Sequence, residues 1–322
     1  MGSLKTNFKV AVIGLDIGGT KTAAGIVLFP EGNLLHRRVI PTCPERPGRV
    51  VLHDIVALAT DLARESAASG HPVAGIGAGV AELVDRHGEV KSSQTIDWKG
   101  LPVRESLGQV APAVVESDVR AAALGEALLG AGRAFECFVY VTVGTGISCC
   151  LVQDGKPHVG ANGNALVMAT APLTATCPSC GVTSHPVLEE FASGPALQKR
   201  YFDRSGISIN GEEVTALAER GDSQAAEVVR TAGEALGVSL AFLVNVLDPE
   251  AVVVGGGLGL DGRLYWQSLL HSTRSHIWAD AGKQVPILPA RLSKDAGVIG
   301  AAATFWRANS RSRLTKVEKV NA

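Results

Sequence analysis

Apolar and polar positions along this chain fall into blocks with two periods, one that of strands and one that of helices. Phe8 to Leu35 (FKVAVIGLDIGGTKTAAGIVLFPEGNLL) opens with a β-branched apolar run that ends at Asp16-Ile17-Gly18-Gly19-Thr20. A second apolar run follows and closes at Pro30-Glu31-Gly32-Asn33, which predicts strand, glycine-rich turn, strand, turn. Phe138 to Pro157 (FVYVTVGTGISCCLVQDGKP) repeats that order: apolar strand, a turn at Gly144-Thr145-Gly146, apolar strand, then Asp154-Gly155 as the next hairpin. The recurrence predicts a duplicated domain, each copy presenting its glycine turn to a common cleft.

The helical blocks complete an α/β pattern. Val51 to Ala68 has apolar residues at helical spacing, Val73 to Gly79 reads as a strand, and Arg120 to Gly130 (RAAALGEALLG) is a strong helix former. Ala225 to Val246 predicts a long buried helix that stops at Asp248-Pro249. Ala251 to Gly259 (AVVVGGGLG) predicts a short buried strand with a glycine-rich end, and Ala296 to Phe305 a small-residue helix suited to close packing. No low-complexity linker separates these blocks.

A length of 322 residues is more than one average domain needs and points to two. With 46% hydrophobic residues the chain can build sizeable cores, and a formal net charge of −1 provides no field for nucleic acid or an anionic membrane. The basic stretch Arg307 to Lys319 reads as a solvated helix end. Six cysteines in a chain this long do not make a disulfide framework and favour a reducing compartment. Asp16 interrupts the first apolar run, so that run is neither a signal peptide nor a membrane span, and the expected location is the cytoplasm.

Glycine turns let backbone N–H groups approach phosphate oxygens, because no Cβ intervenes. In the first turn, Gly18 and Gly19 supply that approach, Thr20 a hydroxyl and Lys21 a cation. Asp16, at the strand end, is placed to hold Mg²⁺ directly or through water. Gly144, Thr145 and Gly146 serve the other side of a triphosphate, and Gly255, Gly256 and Gly257 suit a flat adenosine against bare backbone. Any one such run is better explained by a tight hairpin turn; three of them, each after a buried strand, point to a nucleotide. There is no G-x-x-x-x-G-K-[ST] loop. Gly257 to Gly262 matches G-x-G-x-x-G, but it comes late in the chain, and Leu260-Asp261-Gly262 reads as a turn rather than a helix start.

Phosphoryl transfer to an alcohol needs a group that accepts the hydroxyl proton. In PAVVESDVRAAALGE, Asp118 follows a predicted strand (Ala113 to Val115) and precedes a helix, a common place for an exposed functional carboxylate in α/β proteins. An N-cap aspartate accounts for the same position. The two roles are compatible.

Taken in order, these motifs resemble the ROK family of sugar kinases and related repressors. LDIGGTKTAAGIV resembles its first phosphate motif, ESDVRAAALGEALLGAGR its catalytic segment, FVYVTVGTGIS the second phosphate motif, LDPEAVVVGGGLG the adenosine motif and KDAGVIGAAATF the closing helix. The resemblance runs from about Phe8 to Trp306. It implies two actin/hexokinase-like (ribonuclease H-like) domains with a hinge: residues 1–118, with the helix at 296–322 packing back on them, and residues 119–295. It further implies ATP and Mg²⁺, Asp118 as catalytic base, and a homodimer.

Several positions depart from the family pattern. After GANG (Gly160 to Gly163) the family continues to a Gly-Glu-x-Gly-His element whose Glu and His grip the sugar; here NALVMATA puts Val167 and Thr170 in those places. Ser117 replaces the usual Asn before the base. Ser117, Asp118, Asn162 and Glu189 remain as candidate substrate ligands. A valine and a threonine cannot reproduce hydrogen bonds each worth about 1.5–3 kcal/mol to a charged group. The pocket is therefore expected to suit a carbocyclic sugar mimic (a cyclitol), as in kinases of aminocyclitol antibiotic pathways, rather than glucose. The family's zinc motif is replaced by CPSCGVTSHP, leaving either a zinc site of Cys177, Cys180 and His185 or a loop that kept two thiols. Cys149 and Cys150 read as two small buried thiols on a strand. A glucokinase-type hexose kinase and a non-catalytic ligand sensor of the same fold are the alternatives. Family repressors carry an N-terminal helix-turn-helix, and only residues 1–7 precede Phe8, so DNA binding is not expected.

Overall fold

The computed structural model describes residues 9–176, 181–261 and 263–320, the side chains of Asp261 and residues 310–320 excepted. The chain divides into two compact units: 1–130 with 157–165 and 295–322, and 131–156 with 166–294.

The first unit is built on β1 (Val10–Ile17), β2 (Lys21–Phe29), β3 (Asn33–Pro41), α1 (Gly48–Ala68), β4 (Val73–Val80), α2 (Val103–Gly108), β5 (Ala113–Ser117) and α3 (Asp118–Leu129). Its sheet has the order β3-β2-β1-β4-β5. β1, β2 and β3 form an antiparallel meander, and β4 and β5 run parallel to β1. Nearly every residue of β1 and β2 is buried, as expected of strands covered on both faces. The α1 face of the sheet closes over Ile13, Leu15, Ile55, Leu62, Ile76 and Trp98.

The second unit repeats the plan. β6 (Cys137–Val143), β7 (Ile147–Gln153) and β8 (Lys156–Pro157) come first, followed by the small hairpin β9 (Ala175–Thr176) and β10 (Thr183–Ser184). Then come α4 (Leu188–Ala192), α5 (Gly194–Ser205), α6 (Gly211–Glu219), α7 (Ser223–Leu247), β11 (Ala251–Gly255), α8 (Gly257–Asp261), α9 (Arg263–His276) and β12 (Ile287–Pro289). The sheet order is β12-β11-β6-β7-β8. β6 and β7 are antiparallel, and β11 and β12 run parallel to β6. Read outward from its first strand, each sheet therefore has the same order and sense, with a glycine turn joining its first two strands. α7 starts on an Asp222 cap, whose carboxylate accepts from the Ala225 amide 2.8 Å away, and stops at Asp248 in the left-handed conformation.

The last helix, α10 (Ala296–Val320), belongs to the first unit. Its small residues explain how it fits. A Cβ on Gly14 of β1 would lie 2.0 Å from the Val298 carbonyl, and one on Gly77 of β4 1.7 Å from that of Ala301. A Cβ on Gly300 would meet the Ala121 carbonyl of α3 at 2.0 Å. Backbone thus lies directly on backbone, which any larger side chain would prevent. The first unit also takes in α3 as far as Gly130, twelve residues beyond the boundary expected after Asp118, because α3 packs on α10 and β4. Among the described residues no helix is long and apolar enough to cross a membrane.

Candidate active site

In the first unit the turn after β1 is closed by the Gly18 amide donating to the Lys21 carbonyl at 3.1 Å. The Thr20 and Lys21 side chains project into solvent, and a Cβ on Gly19 would sit 2.4 Å from Cγ2 of Thr95. Asp16 stands at the carboxyl end of β1 against the first turn of α10, where a Cβ on Gly297 would lie 2.2 Å from its carboxylate. Burial lifts the Asp16 carboxyl to about 6, against the pull of Lys21 and Arg37.

Asp118 is the first residue of α3, and Ser117 occupies the capping position without a side-chain cap bond. The N-cap role expected for Asp118 is therefore not what the structure shows. Among the described residues its Oδ1 accepts only from the neighbouring Val119 amide, at 2.6 Å. Burial, and then the charge of Asp16, push the Asp118 carboxyl up to about 7; the Val119 amide and Arg120 pull it down, and Glu82 adds a small rise. A carboxylate balanced near neutrality is suited to accept a proton.

Arg120 did not stand out in the sequence, where it is one cation at the head of an alanine-rich helix. It is 5% exposed and spends its whole fork. Nε reaches Glu116 Oε1 at 2.6 Å, Nη1 the Gly163 carbonyl at 2.7 Å and Nη2 the Val84 carbonyl at 2.6 Å. Gly163 needs its positive φ of 80°, and a Cβ there would fall 2.2 Å from the Val84 carbonyl. Asn162, exposed in that turn, is thereby held at a set place in the unit that carries Asp118.

In the second unit the Gly144 amide donates to the Gly146 carbonyl at 2.9 Å, and the Gly194 amide at the start of α5 donates to the Gly144 carbonyl at 2.9 Å. Glu189 Oε2 accepts from the Ile147 amide at 2.7 Å, and a Cβ on Gly146 would lie 2.6 Å from that oxygen. One oxygen of this candidate substrate ligand is therefore engaged in bracing the turn that carries Thr145. β11 runs out at Gly255, and Gly256 turns the chain at a φ of 84° beside Val143. Gly257 comes next to Gly144: a Cβ on Gly144 would be 4.0 Å from the Gly257 amide nitrogen. The fold thus gathers the two glycine runs of this unit at one end of β6 and β11. Contrary to the turn expected at Leu260-Asp261-Gly262, residues Gly257–Asp261 form the helix α8, and Gly262 lies outside the described residues. The antiparallel β6–β7 hairpin, rather than the lack of a helix, is what sets this sheet apart from a dinucleotide fold.

Val167 is 45% exposed, and Thr170 Oγ1 donates to the Val167 carbonyl at 3.0 Å, so its one donor is spent locally. Cys149 and Cys150 are buried on β7, and burial pushes the Cys149 thiol up to about 12. Cys177 and Cys180 lie outside the described residues. His185 is exposed, with Nδ1 3.3 Å from Thr174 Oγ1. Among the described residues no three His, Cys, Asp or Glu side chains gather to hold a metal. The donor set in the first unit does fit Mg²⁺, which takes one or two carboxylates and completes its shell with water and phosphate oxygens. Asp16 offers a desolvated carboxylate that takes no hydrogen bond from the described residues, and Asp118 lies within its electrostatic reach.

Two sheets of this order, each with a glycine turn between its first two strands and with paired acids at the first, define the actin/hexokinase-like class of α/β phosphotransferases. The profile of the ROK family matches residues 12–308, and the chain belongs to that family. It is 32% identical to a glucokinase of Streptomyces coelicolor, over 90% of this chain and 96% of that one. A ROK family glucokinase from Streptomyces griseus, solved in complex with glucose and AMPPNP, matches it with a TM-score of 0.78. That match has 30% identity over 91% of this chain and 98% of the other. The ROK hexokinase of Thermus thermophilus matches with a TM-score of 0.76 and 32% identity, over 94% and 100%. The protein is a kinase.

Proposed function

We propose that this kinase transfers the γ-phosphoryl group of ATP to a hydroxyl of a sugar-like small molecule, and that its preferred acceptor is a carbocyclic sugar. The observation that carries the transfer is Asp118, a carboxyl raised to about 7 at the head of α3 with Asp16 in electrostatic reach. The acceptor oxygen attacks the γ-phosphorus, the bond from that phosphorus to the bridging oxygen of ADP breaks, and the hydroxyl proton passes to the Asp118 carboxylate. Gly18, Gly19, Thr20 and Lys21 of the first unit, and Gly144, Thr145 and Gly146 of the second, are the proposed phosphate contacts. Gly255, Gly256 and Gly257 are the proposed adenosine contacts. Mg²⁺, held by Asp16 directly or through water, would neutralise charge on the phosphates.

Ser117, Asn162 and the second oxygen of Glu189 are the proposed acceptor contacts. The carbocyclic preference rests on Val167, which presents an apolar surface, and on Thr170, whose hydroxyl proton is already donated. Glucose is the second reading, favoured by the glucokinases among the relatives. Incubation with ATP–Mg²⁺ and a panel of hexoses, amino sugars and cyclitols, read by mass spectrometry, separates the two. Transfer to a cyclitol and not to glucose is expected; strong glucose phosphorylation keeps the kinase and removes the carbocyclic preference.

The same reading includes a homodimer. Val238, Phe242 and Val246 recur at one-turn spacing on α7 and are 42%, 65% and 61% exposed. The Trp278 amide is fixed 2.9 Å from Asn245 Oδ1 of that helix. An apolar stripe of this kind is characteristic of an interface. Sedimentation is expected to show a dimer for the wild-type protein and a monomer for Phe242→Glu; a wild-type monomer would remove the dimer from the proposal.

A further inference from the structure

Both ends of the turn Gly144-Thr145-Gly146 are tied to one elbow of the second unit, the junction of α4 and α5 at Ser193. The Gly194 amide, where α5 begins, donates to the Gly144 carbonyl at 2.9 Å. Glu189 Oε2, from α4, accepts from the Ile147 amide at 2.7 Å just beyond the other end. Thr145, between these ties, is exposed. The place of its hydroxyl and of the amides beside it is therefore set by the place of the elbow.

A half-buried cation of α5 holds that elbow. Arg200 has no carboxylate in ion-pair reach among the described residues, and Glu227, whose charge it feels, is paired with Arg230 at 2.6 Å. Burial, and then the charge of Arg204, pull the Arg200 guanidinium down to about 10. Its partners are two carbonyls, a hydroxyl and a ring. Nη1 donates to the Phe191 carbonyl of α4 at 3.0 Å and to the Val228 carbonyl of α7 at 3.3 Å. Nη2 donates to Thr231 Oγ1 of α7 at 2.6 Å, and the guanidinium carbon lies 3.7 Å from the centroid of the Phe191 ring.

Tyr265 of α9, fully buried, completes the arrangement by donating to the Ala192 carbonyl at 3.0 Å. α4 has five residues, too few to be stable without tertiary contacts. Its last two carbonyls are fixed from α5 and α9, and its first amide, that of Leu188, donates to the Ala171 carbonyl at 2.8 Å. Arg200 thus pins α4 to the long helix α7.

We propose that Arg200 is a positioning residue for the turn at Thr145, acting through the α4–α5 elbow, and that it sets how tightly the nucleotide's phosphates are held. The inference rests on the reading of Gly144, Thr145 and Gly146 as phosphate contacts. A residue that only stabilised the second unit would leave nucleotide affinity unchanged in the folded protein. A positioning residue changes it, and does so for the phosphates rather than for the adenosine.

The test is calorimetric titration of the full chain with AMPPNP–Mg²⁺ and with AMP, below the melting temperature of each variant. Arg200→Met keeps the length of the side chain and removes its charge and donors; it is expected to raise the Kd for AMPPNP by about 10-fold, as a displaced contact does, with the Kd for AMP unchanged. Arg200→Lys should recover part of this, since an ammonium can still reach the Phe191 carbonyl but cannot span to α7 as a fork does. Tyr265→Phe, which removes one donor from the same elbow, is expected to raise the AMPPNP Kd by about 3-fold, and it carries the test if Arg200→Met does not fold. Wild-type affinity for AMPPNP in folded Arg200→Met, or equal losses for AMPPNP and AMP, overturns this inference alone. Thr145→Val tests the reading beneath it: wild-type AMPPNP affinity in that variant overturns the phosphate contacts of this turn, and the inference with them.

Discussion

Asp118→Asn is expected to lower kcat by about 10³-fold while the protein still binds ATP, because a positioned base contributes roughly 10²–10⁴ in rate. The substitution keeps the shape of the side chain and the Val119 contact but cannot take a proton. In the wild-type protein the same group predicts an acid limb: kcat/KM rises with pH through about 7 as Asp118 ionises. The stability consequence has a definite sign. Folding raises this carboxyl from an ordinary 3.8 to about 7, so the folded state holds its proton more tightly than the unfolded one. Below about pH 4 both states are protonated and burial costs little; stability then falls as pH rises through about 7. In the absence of nucleotide, Asp118→Asn is therefore expected to melt higher than wild type at pH 8, by an amount on the order of 2–4 kcal/mol. The gain should vanish near pH 4. Paired melts and rate profiles check both halves; an active variant, or one that melts lower at pH 8, contradicts the placement of the base.

Arg120→Met is expected to produce the largest loss of stability. It leaves Glu116 without its cation and the Val84 and Gly163 carbonyls without their donors, all inside the first unit. Breaking one side of a buried ion pair costs about 3–5 kcal/mol, which for a unit of this size lowers Tm by roughly 10 °C. Arg120→Lys should recover little of it, since a single ammonium cannot reproduce a fork with three separate acceptors. Hydrogen exchange adds a local reading, with protection expected to fall in 160–165 before it falls in β1. A melting temperature within a degree or two of wild type would show that the clamp does not hold the Asn162 turn.

Some of this was readable before any coordinates. The strands at Val10–Ile17 and Cys137–Val143, the glycine turns after them and α7 all announce themselves through local composition, because their signals lie within a few residues of each other. So does Asp118, which sits where a strand gives way to an alanine-rich helix. The N-cap role could not be assigned the same way: one residue of difference in where α3 begins moves it to Ser117. Leu260-Asp261-Gly262 misled because a glycine-rich segment after a strand suits a turn as well as a short helix.

Arg120 and Glu82 are the opposite case. Arg120 meets Gly163 and Val84 across 43 and 36 positions, and Glu82 meets Thr95 and Ile96 across 13 and 14, in loops without a periodic pattern. Glu189 reaches across 42 positions to the Ile147 amide, a tie that no spacing rule contains. By itself the sequence determined two repeats of one strand–turn–strand device and the helices that cover them, since those depend on periodicity and on glycine. Tertiary structure alone decided that residues 157–165 join the first unit, and that buried charges hold the Asn162 turn and the loop at Gln94 to Ile96. The reason is physical: a buried charge must find its partners wherever folding brings them, and chain separation does not record where that is.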